Sequence, residues 1–315
     1  MANYAIISDV SSDLTKALRE RFDIDDYVGG LIYFPDGHAE LSDIDWERHT
    51  PKEFYESMRN KNVMYKTAAV QIGDIIEVFE RHLSAGKDIL ALTLSSGLSG
   101  TYQVFEMAKS KIISKYPDRK IICIDSLRYS TALAMLVIEA ALKRSEGLTL
   151  EECAEYINER KHSLHQIGPM DDLFFLCKTG RISNFKAFFG TLIGVNPMAD
   201  FNRHGLAEVL GKFKGKKAAF DGVISYMKET VIDPQNQIMF VAHSNRLAAA
   251  EALRDMIIKE FSPKEVIIND VGMSCGASVG PGLCAAFYWG KEISEDMAYE
   301  KAVMQNILNN QNRKV

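Results

Sequence analysis

The sequence predicts an α/β protein built on a parallel β-sheet with helices on both faces. Three observations support this fold class. Short apolar runs rich in β-branched residues recur along the chain, segments of helical periodicity separate them, and polar turn residues follow most of the runs. Strands that alternate with helices form parallel sheets covered on both faces. The length of 315 residues suggests two domains.

Six apolar runs are predicted to be buried strands: residues 4–7, 28–34, 89–94, 121–124, 238–242 and 266–268. The helical patterns between and after them cover residues 51–60, 71–83, 99–111, 131–145, 150–161 and 246–261. The first helix has the signals of an N-terminus, because Thr50 can cap it, Pro51 occupies its first position and Glu53 its third.

The strand–helix alternation is regular to about residue 162, and glycine, lysine and phenylalanine become denser after it. This change predicts a domain boundary near residues 163–168. We therefore expect an N-terminal Rossmann-like domain over residues 1–165 and a smaller C-terminal domain over residues 166–315.

Composition disfavours several classes of protein. Lys and Arg number 37 against 42 Asp and Glu, so the formal net charge is −5, whereas a general nucleic-acid binder needs a basic face. The five cysteines are widely spaced and form no C-x-x-C pair. This spacing argues against a zinc ribbon or a thioredoxin-type site and favours buried thiols in a reducing cytosol.

No targeting or membrane segment is recognisable in the sequence. The first seven residues have neither the basic nor the long apolar region of a signal peptide. The longest apolar helical run, residues 131–142, is shorter than the roughly 20 residues of a membrane span. A cytoplasmic location is therefore expected.

Small hydroxyl side chains follow several predicted strands. They occur in residues 8–14, in residues 95–102, at Ser126 beside Asp125, and at Thr67 ahead of the helix at residue 71. Each could simply cap a helix. Together at the carboxyl edge of a parallel sheet, where ligands bind, they suit an anionic group such as a carboxylate or a phosphate.

Two motifs resemble catalytic signatures but fail in detail. The segment from Gly205 to Lys212 has five residues between its glycines where a phosphate-binding loop has four, and a hairpin with exposed lysines is expected instead. Residues 272–276 match the G-x-S-x-G nucleophile elbow around Ser274. We expect no helix directly after this serine, and no histidine follows it in the chain, so a hydrolase is disfavoured.

The histidines and paired phenylalanines have structural interpretations beside the functional ones. His162 and His165 near Asp171-Asp172 form only a weak metal motif, so no metal is expected. His243 follows a strand, where it either faces a ligand cleft or acts as a core or capping residue. The pairs at residues 174–175 and 188–189 are typical of a core, with the lining of an apolar cavity as the alternative.

In these strand-end segments the chain resembles the DegV family of fatty-acid-binding proteins, over about residues 3 to 290. Residues 8–14 (S-D-V-S-S-D-L) are similar to the family's opening S-D-S-S-S-D-L, and residues 95–102 (S-S-G-L-S-G-T-Y) match its most specific segment. The remaining similarities are Asp125-Ser126, Gly180-Arg181-Ile182, Asn196-Pro197 and Gly280-Pro281-Gly282.

The resemblance implies two α/β domains with a fatty acid in an interdomain cleft and its acyl chain in an apolar tunnel. Thr67, Ser95 and Ser96 match the family's residues that hold the carboxylate. Arg181 and Lys214 match basic positions at the cleft entrance, where the partner binds. That partner would be a dihydroxyacetone-kinase-like fatty-acid kinase, which makes acyl phosphate for phospholipid synthesis. The protein would then be a carrier without a cofactor, a catalytic residue or stable membrane insertion.

The chain departs from the family pattern near the carboxylate. Thr67 is the only residue kept from the family's T-S-Q-P-S segment, and Ser278 replaces the histidine of G-x-H-x-G-P-G. Serine can donate a hydrogen bond but carries no charge, and charge-assisted hydrogen bonds are roughly twice as strong as neutral ones. His204 or His243 is a candidate to supply the missing cation. The alternative function is an enzyme or sensor that acts on a small anion in the same cleft.

Overall fold

The structure is a computed structural model that describes residues 3–171, 173–182 and 195–312. Only the backbone of residue 312 is described. The chain forms two compact units. Unit 1 is drawn from Met1–Thr50, Val63–Lys161 and Gly272–Ala277, and unit 2 from Pro51–Asn62, His162–Val271 and Ser278–Val315. The main change of unit falls at residues 161–162, close to the predicted boundary. The units differ from the predicted domains 1–165 and 166–315 mainly in two segments. Residues 51–62 belong to unit 2, and residues 272–277 belong to unit 1.

The strands are β1 (Tyr4–Asp9), β2 (Asp26–Val28), β3 (Leu31–Tyr33), β4 (Ala39–Leu41), β5 (Lys66–Thr67), β6 (Asp88–Thr93), β7 (Ile121–Asp125), β8 (Leu164–Pro169), β9 (Val195–Phe201), β10 (Ala207–Lys214), β11 (Ile238–His243), β12 (Glu265–Asp270) and β13 (Cys284–Trp289). The helices are α1 (Lys16–Arg21), α2 (Pro51–Ser57), α3 (Ile72–Ser84), α4 (Thr101–Ile112), α5 (Thr131–Ser145), α6 (Leu150–Arg160), α7 (Phe174–Thr179), α8 (Lys216–Thr230), α9 (Leu247–Phe261), α10 (Met273–Val279) and α11 (Ala298–Asn312).

Unit 1 contains a four-stranded sheet in the order β2-β1-β6-β7, and all of its strand pairs are parallel. Alternate strand residues such as Ala5 and Ile7 join a core with Phe79 of α3 and Phe105 of α4. Helix α5 packs on the other face, where its Arg144 donates a hydrogen bond to the carbonyl oxygen of Tyr4. The predicted parallel sheet with helices on both faces is therefore confirmed.

A second, three-stranded sheet in the order β4-β3-β5 interrupts the strand predicted over residues 28–34. The interruption falls at Gly29-Gly30, where the chain leaves the parallel sheet. A Cβ atom on Gly30 would lie 3.0 Å from Cγ1 of Val10 and 3.7 Å from Cγ1 of Val70, so the backbone approaches both side chains closely. The sequence prediction missed this break because both flanking segments are apolar.

Unit 2 contains a six-stranded mixed sheet in the order β10-β9-β8-β13-β11-β12. Only the pair β11–β12 is parallel, and the other pairs are antiparallel. Helices α8, α9 and α11 cover an apolar core that includes Val223, Leu253 and Met304. Unit 2 is thus an α/β unit, but β8, β13, α8 and α11 were not predicted from the sequence, and β9 and β10 were expected only as a hairpin around residues 205–212.

Two motif interpretations are resolved by the local fold. Residues 205–212 lie in the antiparallel hairpin β9–β10, as predicted, and Lys214 and Lys216 are exposed. The expectation that no helix follows Gly272 was wrong, because α10 begins at Met273. Ser274 nevertheless lacks the strained positive φ of a nucleophile elbow. Within the described residues, no helix is long and apolar enough to cross a membrane.

Candidate functional site

The carboxyl edge of the parallel sheet in unit 1 gathers buried hydroxyl side chains. We call this set the hydroxyl cluster; its members, each at most 6% exposed, are Ser8, Ser11, Ser12, Ser95, Ser126 and Ser130. They are brought together because the carboxyl ends of β1, β6 and β7 lie side by side in the sheet order. Such an edge is where open α/β sheets bind their ligands.

Asp9, the last residue of β1, connects two of the strand-end loops. One of its carboxylate oxygens accepts a hydrogen bond from Ser11 N at 2.8 Å, and the other accepts one from Leu94 N at 2.7 Å. Burial raises the pKa of Asp9 above its ordinary value, and these hydrogen bonds offset only part of the rise. Asp9 therefore holds the loops in register rather than presenting a charge to solvent.

The predicted ligands Ser95 and Ser96 lie at the junction of the loops that follow β6 and β7. Ser95 N donates a hydrogen bond to the carbonyl oxygen of Arg128 at 2.9 Å, and Ser95 Oγ accepts one from Gly97 N at 3.1 Å. Ser96 N donates to Asp125 Oδ1 at 3.0 Å, while its side chain is half-buried. The structure thus places both serines beside the Asp125-Ser126 segment, as the clustering of strand ends predicted.

Two cationic side chains near this junction were not singled out from the sequence. Arg128 is completely buried and has the largest fully buried side chain of the described residues. Lys161 donates a hydrogen bond to the carbonyl oxygen of Asp125 at 2.9 Å. Burial lowers the pKa of Lys161, the nearby Asp125 carboxylate raises it, and the Arg128 guanidinium lowers it again. The charge of Arg128 therefore opposes the charged form of Lys161, and the Asp125 carboxylate offsets part of the combined effect of burial and Arg128.

A second group of polar contacts surrounds the turn after β1. Ser11 Oγ lies 3.4 Å from Ser274 Oγ of α10, and the carbonyl oxygen of Ser11 accepts hydrogen bonds from Ser130 N and Cys275 Sγ. Ser130 Oγ donates to Asp13. Ser12 Oγ is buried and has no hydrogen-bond partner among the described residues. A buried hydroxyl without a partner is costly, so it is a candidate to bind a ligand or a water molecule.

Thr67 and Ser278 lie outside the hydroxyl cluster. Thr67 is exposed on β5 opposite Ile32, and no hydrogen bond joins its side chain to Ser95 or Ser96 in the described part of the chain. Ser278 is half-buried in the last turn of α10, one helical turn after Ser274. Residues four apart share one face of a helix, so Ser274 and Ser278 form a short row of hydroxyls.

The loop that follows Ser278 is held in place by Arg246. Its Nη1 donates hydrogen bonds to the carbonyl oxygen of Gly282 at 2.8 Å and to Asp171 at 3.1 Å, while Gly282 N donates to Ser244 O at 3.0 Å. Phe175 packs beneath the same loop, because a Cβ atom on Gly280 would lie 2.1 Å from its ring. Phe175 is therefore a core residue, whereas Phe188, Phe189 and Asp172 lie outside the described residues.

The two basic residues predicted to bind a partner are far apart in unit 2. Arg181 precedes Ile182, which forms a bridge with Ala207 at the start of β10. Lys214 is the last residue of β10. A strand rises about 3.4 Å per residue, so the backbones at the two ends of β10 are about 24 Å apart. Arg181 and Lys214 therefore occupy separate positions rather than one compact patch.

The histidines have structural roles where their contacts are described. His165 is completely buried, with Nδ1 2.7 Å from Asp200 and Nε2 2.9 Å from the carbonyl oxygen of Lys291. His243 Nδ1 accepts a hydrogen bond from Arg246 N at 3.3 Å, as a capping residue does ahead of α9. His204 is exposed in the β9–β10 turn. No three His, Cys, Asp or Glu side chains in residues 3–171, 173–182 and 195–311 are grouped to hold a metal ion.

The model of a family described as an uncharacterised protein, DegV family, matches residues 3–291. A DegV domain-containing protein from Clostridium perfringens is 32% identical over 290 residues, which cover 92% of this chain and 98% of the relative. One from Clostridium acetobutylicum is 30% identical over 284 residues, covering 90% and 96%.

Solved structures show the same fold. A fatty-acid-binding DegV family protein from Thermus thermophilus superposes with a TM-score of 0.81 at 24% identity, covering 91% of this chain and 99% of its own. DegV, a fatty acid binding protein from Bacillus subtilis, superposes with a TM-score of 0.76 at 24% identity, covering 92% and 100%. With a family match over residues 3–291 and a relative 32% identical over most of both chains, this protein belongs to the DegV family.

Proposed function

We propose that this protein binds a long-chain fatty acid and holds its carboxylate at the hydroxyl cluster of unit 1. The observation that carries the proposal is the gathering of buried hydroxyls and two cations at the carboxyl edge of the parallel sheet in a chain of the DegV family. DegV relatives from Thermus thermophilus and Bacillus subtilis are described as fatty acid binding, which supports the same ligand class here.

The polar groups at this edge suit a carboxylate. Ser12 and Ser96 have hydroxyls that no described residue engages in a hydrogen bond, so both can donate to an anion. Arg128 and Lys161 add positive charge, and hydrogen bonds between charged groups are stronger than neutral ones. In this proposal they supply the charge that Ser278 cannot, and neither His204 nor His243 is required.

The acyl chain would supply most of the affinity. Each buried CH₂ contributes about 0.8 kcal/mol, so sixteen carbons contribute on the order of 10 kcal/mol before ordering costs are subtracted. In this proposal an apolar tunnel sets the binding strength and Ser95 and Ser96 set the position of the carboxylate, with Thr67 and Ser278 as further candidates outside the hydroxyl cluster. Loss of a contact to the carboxylate should therefore change the rate at which the lipid exchanges more than the amount of lipid that the protein retains.

We further propose that the protein is a carrier and not a catalyst. It would present the carboxylate to a dihydroxyacetone-kinase-like fatty-acid kinase, which would convert it to an acyl phosphate. Arg181, in the turn after α7, and Lys214, at the far end of β10, are the proposed contacts with that kinase. In this role the protein needs a bound fatty acid but no metal or other cofactor.

The first test is mass spectrometry of lipid extracted from the purified native protein. We expect a fatty acid in near-stoichiometric amount. An extract without acyl lipid, from protein shown to be folded, would contradict the proposal and favour an enzyme or sensor for a small anion.

The headgroup assignment has its own test in the double variant Thr67→Ala, Ser95→Ala. It should still copurify with lipid, but transfer to a competing carrier should be about thirtyfold faster, because each of the two lost hydrogen bonds contributes about 1 kcal/mol. Stopped-flow transfer of a fluorescent fatty acid measures this rate. Ser110→Ala, on the exposed side of α4, is the matched control and should exchange like the unmodified protein. Equal rates in the double variant would count against these two ligands.

A further inference from the structure

Strand β12 forms one edge of the six-stranded sheet in unit 2, and among the described strands it pairs only with β11. The pairing is parallel, with Ile238 opposite Glu265 and His243 opposite Asp270. Glu265 N donates a hydrogen bond to Gln237 O, and Val271 N donates to His243 O. Odd-numbered residues therefore direct their backbone groups toward β11.

The even-numbered residues of β12 direct their backbone groups away from the sheet. In a parallel ladder, alternate residues bond to opposite sides, so Val266 and Ile268 point their N–H and C=O groups outward at the edge. Natural proteins seldom leave such an edge both apolar and open, because it is a template for another strand. Here Val266, Ile267 and Ile268 are consecutive, β-branched and each partly exposed.

The two faces of this strand differ. Val266 and Ile268 pack against the core of unit 2, beneath α9, whereas Ile267 has no place in that core. The strand is flanked by opposite charges, with exposed Lys264 before it and, at its end, half-buried Asp270, whose Oδ1 also lies 3.3 Å from His243 Nδ1. Such a segment is complementary to itself when it runs antiparallel.

We propose that β12 is a docking edge for a second copy of this chain, paired antiparallel about a two-fold axis through Ile267. This register places Val266 opposite the partner subunit's Ile268, so that outward backbone groups meet outward backbone groups. It also places Lys264 opposite the partner subunit's Asp270, and the symmetry repeats this ion pair. The two six-stranded sheets would then form one continuous sheet.

The charges select this register from the alternatives. A shift by one residue would set outward backbone groups against inward ones and remove the ladder. A shift of the axis to Ile268 would set Val266 against an aspartate, and a shift to Val266 would set Lys264 against an isoleucine. Only the axis at Ile267 forms the ladder, pairs apolar with apolar residues and joins the opposite charges.

The test is sedimentation equilibrium of the full chain over a wide range of protein concentration. We expect a reversible monomer–dimer equilibrium. Ile267→Lys places two like charges on the two-fold axis and should leave only monomer. Ile267 lies outside the apolar cluster beneath α9, but it is partly buried and pairs with the buried Phe240, so the circular dichroism spectrum and the bound lipid of this variant are measured to establish that its fold is kept. The lipid content separates failure of this proposal from failure of fatty-acid binding.

A charge swap tests the register. Lys264→Asp alone and Asp270→Lys alone should each raise the dimer dissociation constant about tenfold, since two exposed ion pairs of up to about 1 kcal/mol are lost and replaced by repulsion. The combined variant should restore the dissociation constant.

A monomer at every concentration would overturn the proposal. A dimer unaffected by Ile267→Lys, or single swaps that the combined variant does not rescue, would place the interface elsewhere. A complex with a different protein in place of the dimer would also overturn it.

Discussion

Ser130 adopts a backbone conformation that favours glycine. Its φ is 54° and its ψ is −137°, at the residue that precedes α5. A side chain at positive φ is strained by contact with its own backbone, and such strain persists only where surrounding contacts compensate for it. At Ser130 the compensation is its hydrogen bond to Asp13 and its N–H bond to Ser11 O. The strain holds the loop after β7 against the turn after β1.

Two substitutions at this residue separate the hydrogen bond from the strain. Ser130→Ala loses the bond to Asp13 and keeps the strain, whereas Ser130→Gly loses the bond and relieves the strain. We expect both to destabilise unit 1, with the glycine variant more stable than the alanine variant by about 1 kcal/mol. Urea unfolding followed by fluorescence of Trp46, in a Trp289→Phe background, measures the difference. The opposite order of stability would show that strain is not a factor here.

At the scale of the element, the pairing of β8 with β13 depends on a missing side chain. A Cβ atom on Gly168 would lie 2.3 Å from both the Cα of Ala285 and the carbonyl oxygen of Cys284. These are backbone atoms of the neighbouring strand, so they cannot rotate away. Gly168 therefore lets the two strands pack at close distance in the centre of the unit 2 sheet.

Gly168→Ala should destabilise unit 2 by about 2 kcal/mol or more, because the added methyl group forces the strands apart. Gly73→Ala, in the first turn of α3, is the matched control. Its Cβ would have no neighbour within 4 Å, so the helix should gain about 0.5–1 kcal/mol. Thermal unfolding of each variant measures the expected loss of stability in Gly168→Ala and the expected gain in Gly73→Ala. A tolerated Gly168→Ala would mean that the strands can separate without cost.

At the scale of the whole molecule, stability in acid depends on a buried ion pair. Burial raises the pKa of Asp200, but attraction to His165, their hydrogen bond and the N–H groups of Gln166 and Phe201 outweigh it, so the pKa is lowered overall. A carboxyl whose pKa is lower in the folded than in the unfolded state stabilises the fold above its unfolded value of about 3.9. That stabilisation is lost as the pH falls through the lower, folded-state pKa.

Asp200→Asn tests this linkage. At neutral pH it should destabilise unit 2 by about 3 kcal/mol, because His165 loses its buried partner. The further loss of stability below about pH 4 should become smaller than in the unmodified protein. Urea unfolding at several pH values, followed by Trp289 fluorescence in a Trp46→Phe background, measures both effects. An unchanged acid dependence would assign the acid sensitivity to other carboxylates.

Parts of the fold could be predicted because their signals are local. Strands β1, β6 and β7 are buried on both faces of a parallel sheet, so consecutive residues of each strand are apolar and the strands are visible in the sequence as continuous apolar runs. Strand β8 could not be recognised, since it contains the polar residues His165 and Gln166; the buried His165 ring lies within hydrogen-bond distance of Asp200, which also accepts a hydrogen bond from the backbone N–H of Gln166. The break at Gly29-Gly30 was also missed, because it depends on contact with Val10 and Val70 rather than on the residues of the strand.

By itself, the sequence determined the family, the parallel sheet of unit 1 and the presence of hydroxyls at its strand ends. These properties follow from the order of neighbouring residues. Only the tertiary structure decided that Arg128 is buried beside Ser95, that Ser130 reaches Asp13, and that Arg181 and Lys214 lie at opposite ends of β10. Each of these depends on segments distant in the chain, which come together through sheet order and packing, so no local pattern could encode them.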